Sequence, residues 1–148
     1  MAAVHQDLSA VAQTKMTAQS TLPPAPIGWP LLPLPDDHGR LRYPALEESV
    51  RQSIQVILRT RPGEQLMRPD FGGGLQEFLH EPNALITRRR IRDRITESLE
   101  RWEKRIVLNR VEVAEVADQP SRLRVEIAYR LKRSGAAQNL GLTLDLEG

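Results

Sequence analysis

Leu123-Arg124-Val125-Glu126-Ile127-Ala128-Tyr129-Arg130-Leu131-Lys132 decides the fold. Large apolar side chains alternate there with charged or small ones, the two-residue period of a strand that buries one face and turns a charged face to water. An earlier strand pattern runs from about Val107 to Val116, and a later one carries Leu140, Leu142, Leu144 and Leu146. Asp118-Gln119-Pro120-Ser121 and Ser134-Gly135-Ala136-Ala137 separate them. Connections this short predict an antiparallel meander with one apolar face.

N-terminal to the strands the period lengthens to that of a helix. Ile91, Ile95, Leu99 and Trp102 form a single apolar stripe, which predicts a helix starting between Asn83 and Thr87 and ending near Arg105. Leu46, Val50, Ile54, Ile57 and Leu58 predict another from about Pro44 to Thr60, with proline near the start, where its missing N–H costs little. Between them, Pro62-Gly63, Pro69 and Gly72-Gly73-Gly74 punctuate a loop, and Leu75, Phe78 and Leu79 suggest one or two further helical turns before Pro82. Two helices covering the apolar face of a three-stranded meander make an α+β domain over residues 44–148.

Residues 1–43 differ in kind. Met1 to Thr21 is rich in Ala, Gln, Thr and Ser and has too few apolar residues to offset its ordering entropy. Most of the chain's 11 prolines follow, interleaved with Ile27, Trp29, Leu31, Leu32 and Leu34. Proline fixes φ and removes a donor, so this is an extended strap that either covers the domain's own core or docks into a partner's groove. Asp36-Asp37-His38-Gly39 reads as a turn.

Composition narrows the function. The chain has 148 residues, with 21 basic and 19 acidic side chains and a net charge of +2, so no global field demands nucleic acid or an anionic membrane. The absence of cysteine excludes a disulfide scaffold and thiolate chemistry. No apolar run is long enough to span a membrane and the start lacks a signal-peptide pattern, which predicts a soluble protein made without a leader.

His5, His38 and His80 have no metal-ligand spacing, and no serine sits in a nucleophile elbow. No catalytic residue, metal site or cofactor is predicted. Glu64, Asp70, Glu77, Glu81 and Glu103 could supply the two carboxylates of a glycosidase, but acids in loops and helix ends discriminate little. Gly72-Gly73-Gly74 lacks the Lys-Ser/Thr of a phosphate loop and reads as a flexible corner. On the second helix only Arg90, Arg94, Arg101 and Arg105 align, in a ridge where Glu97 precedes Arg101 by one turn, a favourable pair. With so few aromatics for base stacking, a solvated or partner-facing helix is favoured over a nucleic-acid module. If Glu103 and Arg105 are both helical they lie about 200° apart around the axis, so each needs a separate partner, in the loop after the first helix or on another chain. Asn139 to Leu146 lies at a sheet edge, whose free backbone groups recruit another strand unless Asp145 and Glu147 serve only to deter aggregation.

In their order these features resemble the baseplate wedge proteins that initiate the sheath in contractile phage tails, a family also called lysozyme-like. Its relatives occur in R-type pyocins, type VI secretion baseplates and extracellular contractile injection systems. The family's threonine-x-x-Gly-Glu loop and following Pro-x-Phe-Gly stand here as Thr60-Arg61-Pro62-Gly63-Glu64 and Pro69-Asp70-Phe71-Gly72. Its Glu-Pro-Arg ahead of a valine-rich strand stands as Glu103-Lys104-Arg105, then Ile106 and Val111-Glu112-Val113. Gln65 replaces the usual arginine, and Lys104 the proline, which would let the helix extend and loosen the junction.

The resemblance implies a non-enzymatic structural subunit, made in the cytoplasm and built in several copies around a central tube. It would contact wedge and hub proteins and the sheath protein, with neither nucleic acid nor membrane as partner. Glu103, Arg105, Gly63, Glu64, Pro69, Phe71 and Gly72 would serve wedge contacts, and Asn139, Leu140, Leu142, Leu144 and Leu146 the sheath strand. Substituting Glu103 or Arg105 is then expected to leave the isolated domain folded and block sheathed particles. The rival is a peptidoglycan-cleaving hydrolase.

Overall fold

The computed structural model describes residues 35–41 and 43–146. The N-terminal arm and almost all of the proline-rich strap, including Trp29 and Leu31 to Leu34, lie outside the described residues, as does Glu147. The Asp36 turn is described: its carboxylate Oδ1 accepts from the N–H groups of His38 and Arg40, and Pro35 bridges Leu41 across it.

Helix α1 spans Leu46–Arg59 and α2 spans Leu85–Trp102, with a 3-10 turn at Leu75–Phe78 between them. Each helix buries the stripe its sequence predicts, Val50, Ile54, Ile57 and Leu58 from α1 and Ile91, Ile95 and Leu99 from α2. Both pack on one face of a three-stranded antiparallel sheet, in the order β1 (Ile106–Val116), β2 (Gln119–Leu131), β3 (Ala137–Asp145). The central strand supplies Leu123, Val125, Ile127, Tyr129 and Leu131 to the core, all buried. Its other face carries Arg122, Arg124 and Glu126, paired with Asp145 or with each other.

Two boundaries depart from the sequence reading, and the β1–β2 ladder carries a slip that it did not anticipate. Gln119 opens β2 instead of lying in the turn, because Asp118 adopts a positive φ of 63° and lets the chain reverse at Ala117-Asp118. The register β1 to β2 slips at Asn109, where Leu108 faces Tyr129 but Arg110 faces Ala128. This bulge lets both Ile106 and Leu108 on one side, and Val111 and Val113 on the other, point to the core. Helix α2 ends at Trp102 rather than near Arg105, and lysine in place of proline does not lengthen it. The Glu103 N–H still reaches the Leu99 carbonyl, but φ −102°, ψ 83° takes the chain out of the helix. Ile106, β-branched and paired with Leu131, needs an extended approach, and the Arg105 carbonyl already accepts from the Lys132 N–H.

Candidate functional site

The loop from Thr60 to Gly74 is tied down along its length. The Arg61 N–H donates to Glu64 Oε2 while the Glu64 N–H donates to the Arg61 carbonyl, and the Gly63 N–H closes the base on the Pro69 carbonyl. Phe71 is buried edge-on against Trp102, ring centroids 5.3 Å apart. The three glycines are no flexible corner. All are buried, and the N–H groups of Gly73 and Gly74 donate to the Ile57 and Thr60 carbonyls, satisfying the C-terminal end of α1. A Cβ at Gly72 would stand 2.1 Å from the Thr60 carbonyl oxygen, and its φ of +116° already suits glycine alone. Gly72 and Phe71 therefore shape the loop from within, whereas Gly63, Glu64 and Pro69 are on its surface.

Glu103 and Arg105 pair with each other, contrary to the expectation of separate partners. That expectation required both residues to be helical, and the helix has ended before either. The Arg105 Nε and Nη2 donate to Glu103 Oε1 and Oε2 at 2.8 and 2.6 Å, and the Arg105 backbone N–H adds a third bond to Oε1 at 3.2 Å. The remaining Arg105 nitrogen, Nη1, reaches Ser49 Oγ on α1 rather than the loop after that helix. The carboxylate side chain is only 3% exposed and the guanidinium 40% exposed. Burial alone would raise the Glu103 pKa, but hydrogen bonds from Arg105 and Ser53 and the Arg105 charge outweigh it and hold the carboxyl below its ordinary range. Beside them, burial pushes the Tyr129 hydroxyl up, against an opposing hydrogen bond from Arg51.

The arginine ridge of α2 serves mainly to clamp the preceding segment. Arg90 holds Glu81, Arg94 lies 3.8 Å from Glu77, and Arg101 takes Asp70 rather than its helical neighbour Glu97. Arg90 and Arg94 also stack over the Phe78 ring. Arg105 is not on the ridge, having left the helix. At the other end of α2, Arg88 bonds Asn83 and Glu115, and Asn83 reaches the Pro120 carbonyl, a polar tie to the β1–β2 turn.

The three leucines of β3, and Leu146 just past its end, all face the core side. Leu140 and Leu146 are buried, while Leu142 and Leu144 are half-buried opposite Val125 and Leu123. Asn139 is exposed on the outer face. The structure thus brings together Glu103 and Arg105, and separately the loop residues, but it makes no single site of them with β3. Sequence reading passed over Leu66 and Met67, which stand at the loop's tip 96% and 93% exposed. Two apolar residues amid glycine, proline and charge were the available signal. Among the described residues no cluster of acidic or histidine side chains could hold a metal ion, and no helix is long and apolar enough to cross a membrane.

Comparison with known proteins places this arrangement. The family model for baseplate wedge protein gp25 matches residues 44–136. Baseplate protein W of Escherichia phage P2 is 29% identical over 97 residues, covering 66% of this chain and 81% of its own. A Geobacter sulfurreducens protein called a tail lysozyme superposes with a TM-score of 0.65 at 31% identity, over 74% of this chain and 98% of that one. A chain from the cryo-EM structure of the anti-feeding prophage baseplate superposes with a TM-score of 0.63 at 34% identity, over 70% and 82%. With the Thr60 to Gly74 loop, the helix-to-strand junction and the first two strands all within the matched span, the chain belongs to the baseplate wedge protein gp25 family.

Proposed function

We propose that this wedge protein starts the sheath of a contractile tail or injection particle by offering a sheet edge for strand exchange, while its loop and junction dock into the wedge. The observation that supports the reading most is β3, an outer strand of the sheet from Ala137 to Asp145. Its outward backbone groups pair with no other strand among the described residues, and the half-buried Leu142 and Leu144 leave apolar surface that an added strand would extend. A preformed edge spares the first sheath subunit part of the ordering cost of finding a strand partner. The opposite edge, β1, runs beside an open groove against α2 and is the second place where a strand could add. In this reading the proline-rich strap and arm thread across neighbouring wedge or hub proteins.

The hydrolase reading is weaker. A glycosidase needs a carboxyl whose pKa is raised so that it can donate a proton, and Glu103 is shifted the opposite way. Glu64, Asp70, Glu77 and Glu81 are each bound to a backbone N–H or an arginine. Electron microscopy of particles produced with and without this chain tests the proposal. Sheath should cover the tube only when the chain is present, and sheathed particles at normal frequency without it would overturn the assignment.

A further inference from the structure

We infer that Leu66 and Met67 are a docking knob for an apolar cleft edged by carboxylates on a neighbouring wedge protein. This rests on the wedge reading above and identifies which side chains of the loop make the contact.

The two residues are the centre of a turn, with the Arg68 N–H donating to the Gln65 carbonyl at 3.0 Å. Such positions favour Gly, Asn, Asp, Ser or Pro, which supply turn geometry and tolerate water. Leucine and methionine supply neither, and at 96% and 93% exposure they add nothing to the domain's own core. A local rule broken without a gain in folding points to a role outside the fold.

The backbone carrying them is already ordered. The reciprocal Arg61–Glu64 bonds, the Gly63–Pro69 closure and the Phe71 N–H to Arg68 carbonyl bond fix both arms of the turn, and Phe71 anchors its end in the core. The partner therefore meets apolar side chains whose main chain has little freedom left to lose. The unbranched Met67 can adapt to an irregular cleft.

Charge selects the occupant. Beside Met67, Arg68 has no ion-pair partner among the described residues, and the Arg61 guanidinium holds only the neutral Gln76. Of the loop's acids, Asp70 is paired with Arg101, and Glu64 keeps its charge but turns its carboxylate back onto the Arg61 N–H at the base of the loop. A knob rimmed by unpaired cations fits a cleft edged by carboxylates. A second copy fits poorly, because in the open groove between α2 and β1 the glutamates Glu112, Glu115 and Glu126 are already paired with Arg110, Arg88 and Arg124, and Arg89 and Arg92 line it besides.

The test uses the full chain in particles. A Leu66→Ser/Met67→Ser double variant and an Arg68→Glu variant should unfold at the wild-type temperature, since they alter only exposed side chains. Both should be recovered in purified baseplates at least about ten-fold less than wild type. Recovery at the wild-type level would overturn the inference. A wild-type chain absent from purified baseplates would sink the wedge reading and this inference with it. Photo-cross-linking from a Met67→benzoylphenylalanine variant in assembling particles identifies the occupant. An adduct on another wedge protein, at apolar residues flanked by Asp or Glu, supports the assignment. An adduct on a second copy of the chain or on lipid overturns it.

Discussion

Glu103 and Arg105 form a structural pair before they are anything else. With its carboxylate buried and one guanidinium nitrogen on Ser49, the pair fastens α1 to the point where α2 becomes β1. Removing one member of a buried pair leaves the other charge without its compensation. Arg105→Met should therefore cost about 2 kcal/mol at pH 7, below the ~3–5 kcal/mol of a fully buried pair because the guanidinium reaches water. A loss of this size weakens the isolated domain and is compatible with its staying folded. A lowered Glu103 pKa means that the pair's contribution is complete above the unfolded value of 4.5 and is lost as pH falls through the lower folded value. Urea midpoints of wild type and Arg105→Met should accordingly differ widely at pH 7 and converge below pH 4.5. A gap that persists undiminished in acid would show that the charge on Glu103 is not what Arg105 supports.

The elements differ in how plainly their residues announce them. Alternation along Leu123 to Leu131 and the stripes of both helices name the core positions, because burial of one face imposes a period that local chemistry cannot hide. The junction was less legible. Nothing local to Trp102 stops a helix, and it is the pairing of Ile106 with Leu131, distant in sequence, that draws the chain out. The same non-local cause hid the Glu103–Arg105 pair, whose members can meet only off the helix. The glycine corner misleads in another way, since three glycines suggest freedom and here permit close approach. Gly72→Ala would force the Thr60 carbonyl away and strain a positive φ, and should destabilise the domain by at least about 3 kcal/mol in chemical denaturation. A variant with an unchanged midpoint would mean that the α1 terminus relaxes freely.

For the whole molecule, assembly and catalysis make opposite demands. A hydrolase needs a cleft with a proton-donating acid, whereas this domain ties its loop acids to arginines and backbone and leaves its free groups on edges and a loop tip. Purified chain mixed with peptidoglycan should release no soluble fragments above a buffer control, and release abolished by substituting Glu77 or Glu81 would restore the enzymatic reading. The fold class was legible because two periods sufficed to specify it. Which surfaces meet partners was less so, since exposure is a property of the packed chain: Phe71 looked available and is buried, while Leu66 and Met67 passed for ordinary loop.

The extra residue at Asn109 constrains how β1 can pair with β2. The halves of β1 on either side of it have opposite parity, each matched to the inward side of its neighbour. Losing Asn109 would leave an unbroken ladder with Ile106, Leu108, Val111 and Val113 all still inward, whereas pairing Asn109 with Ala128 in place of Arg110 would turn Val111 and Val113 outward. Related chains can therefore drop this residue and the bulge together, but a chain that keeps the residue must keep a bulge in this strand to hold both halves against the core.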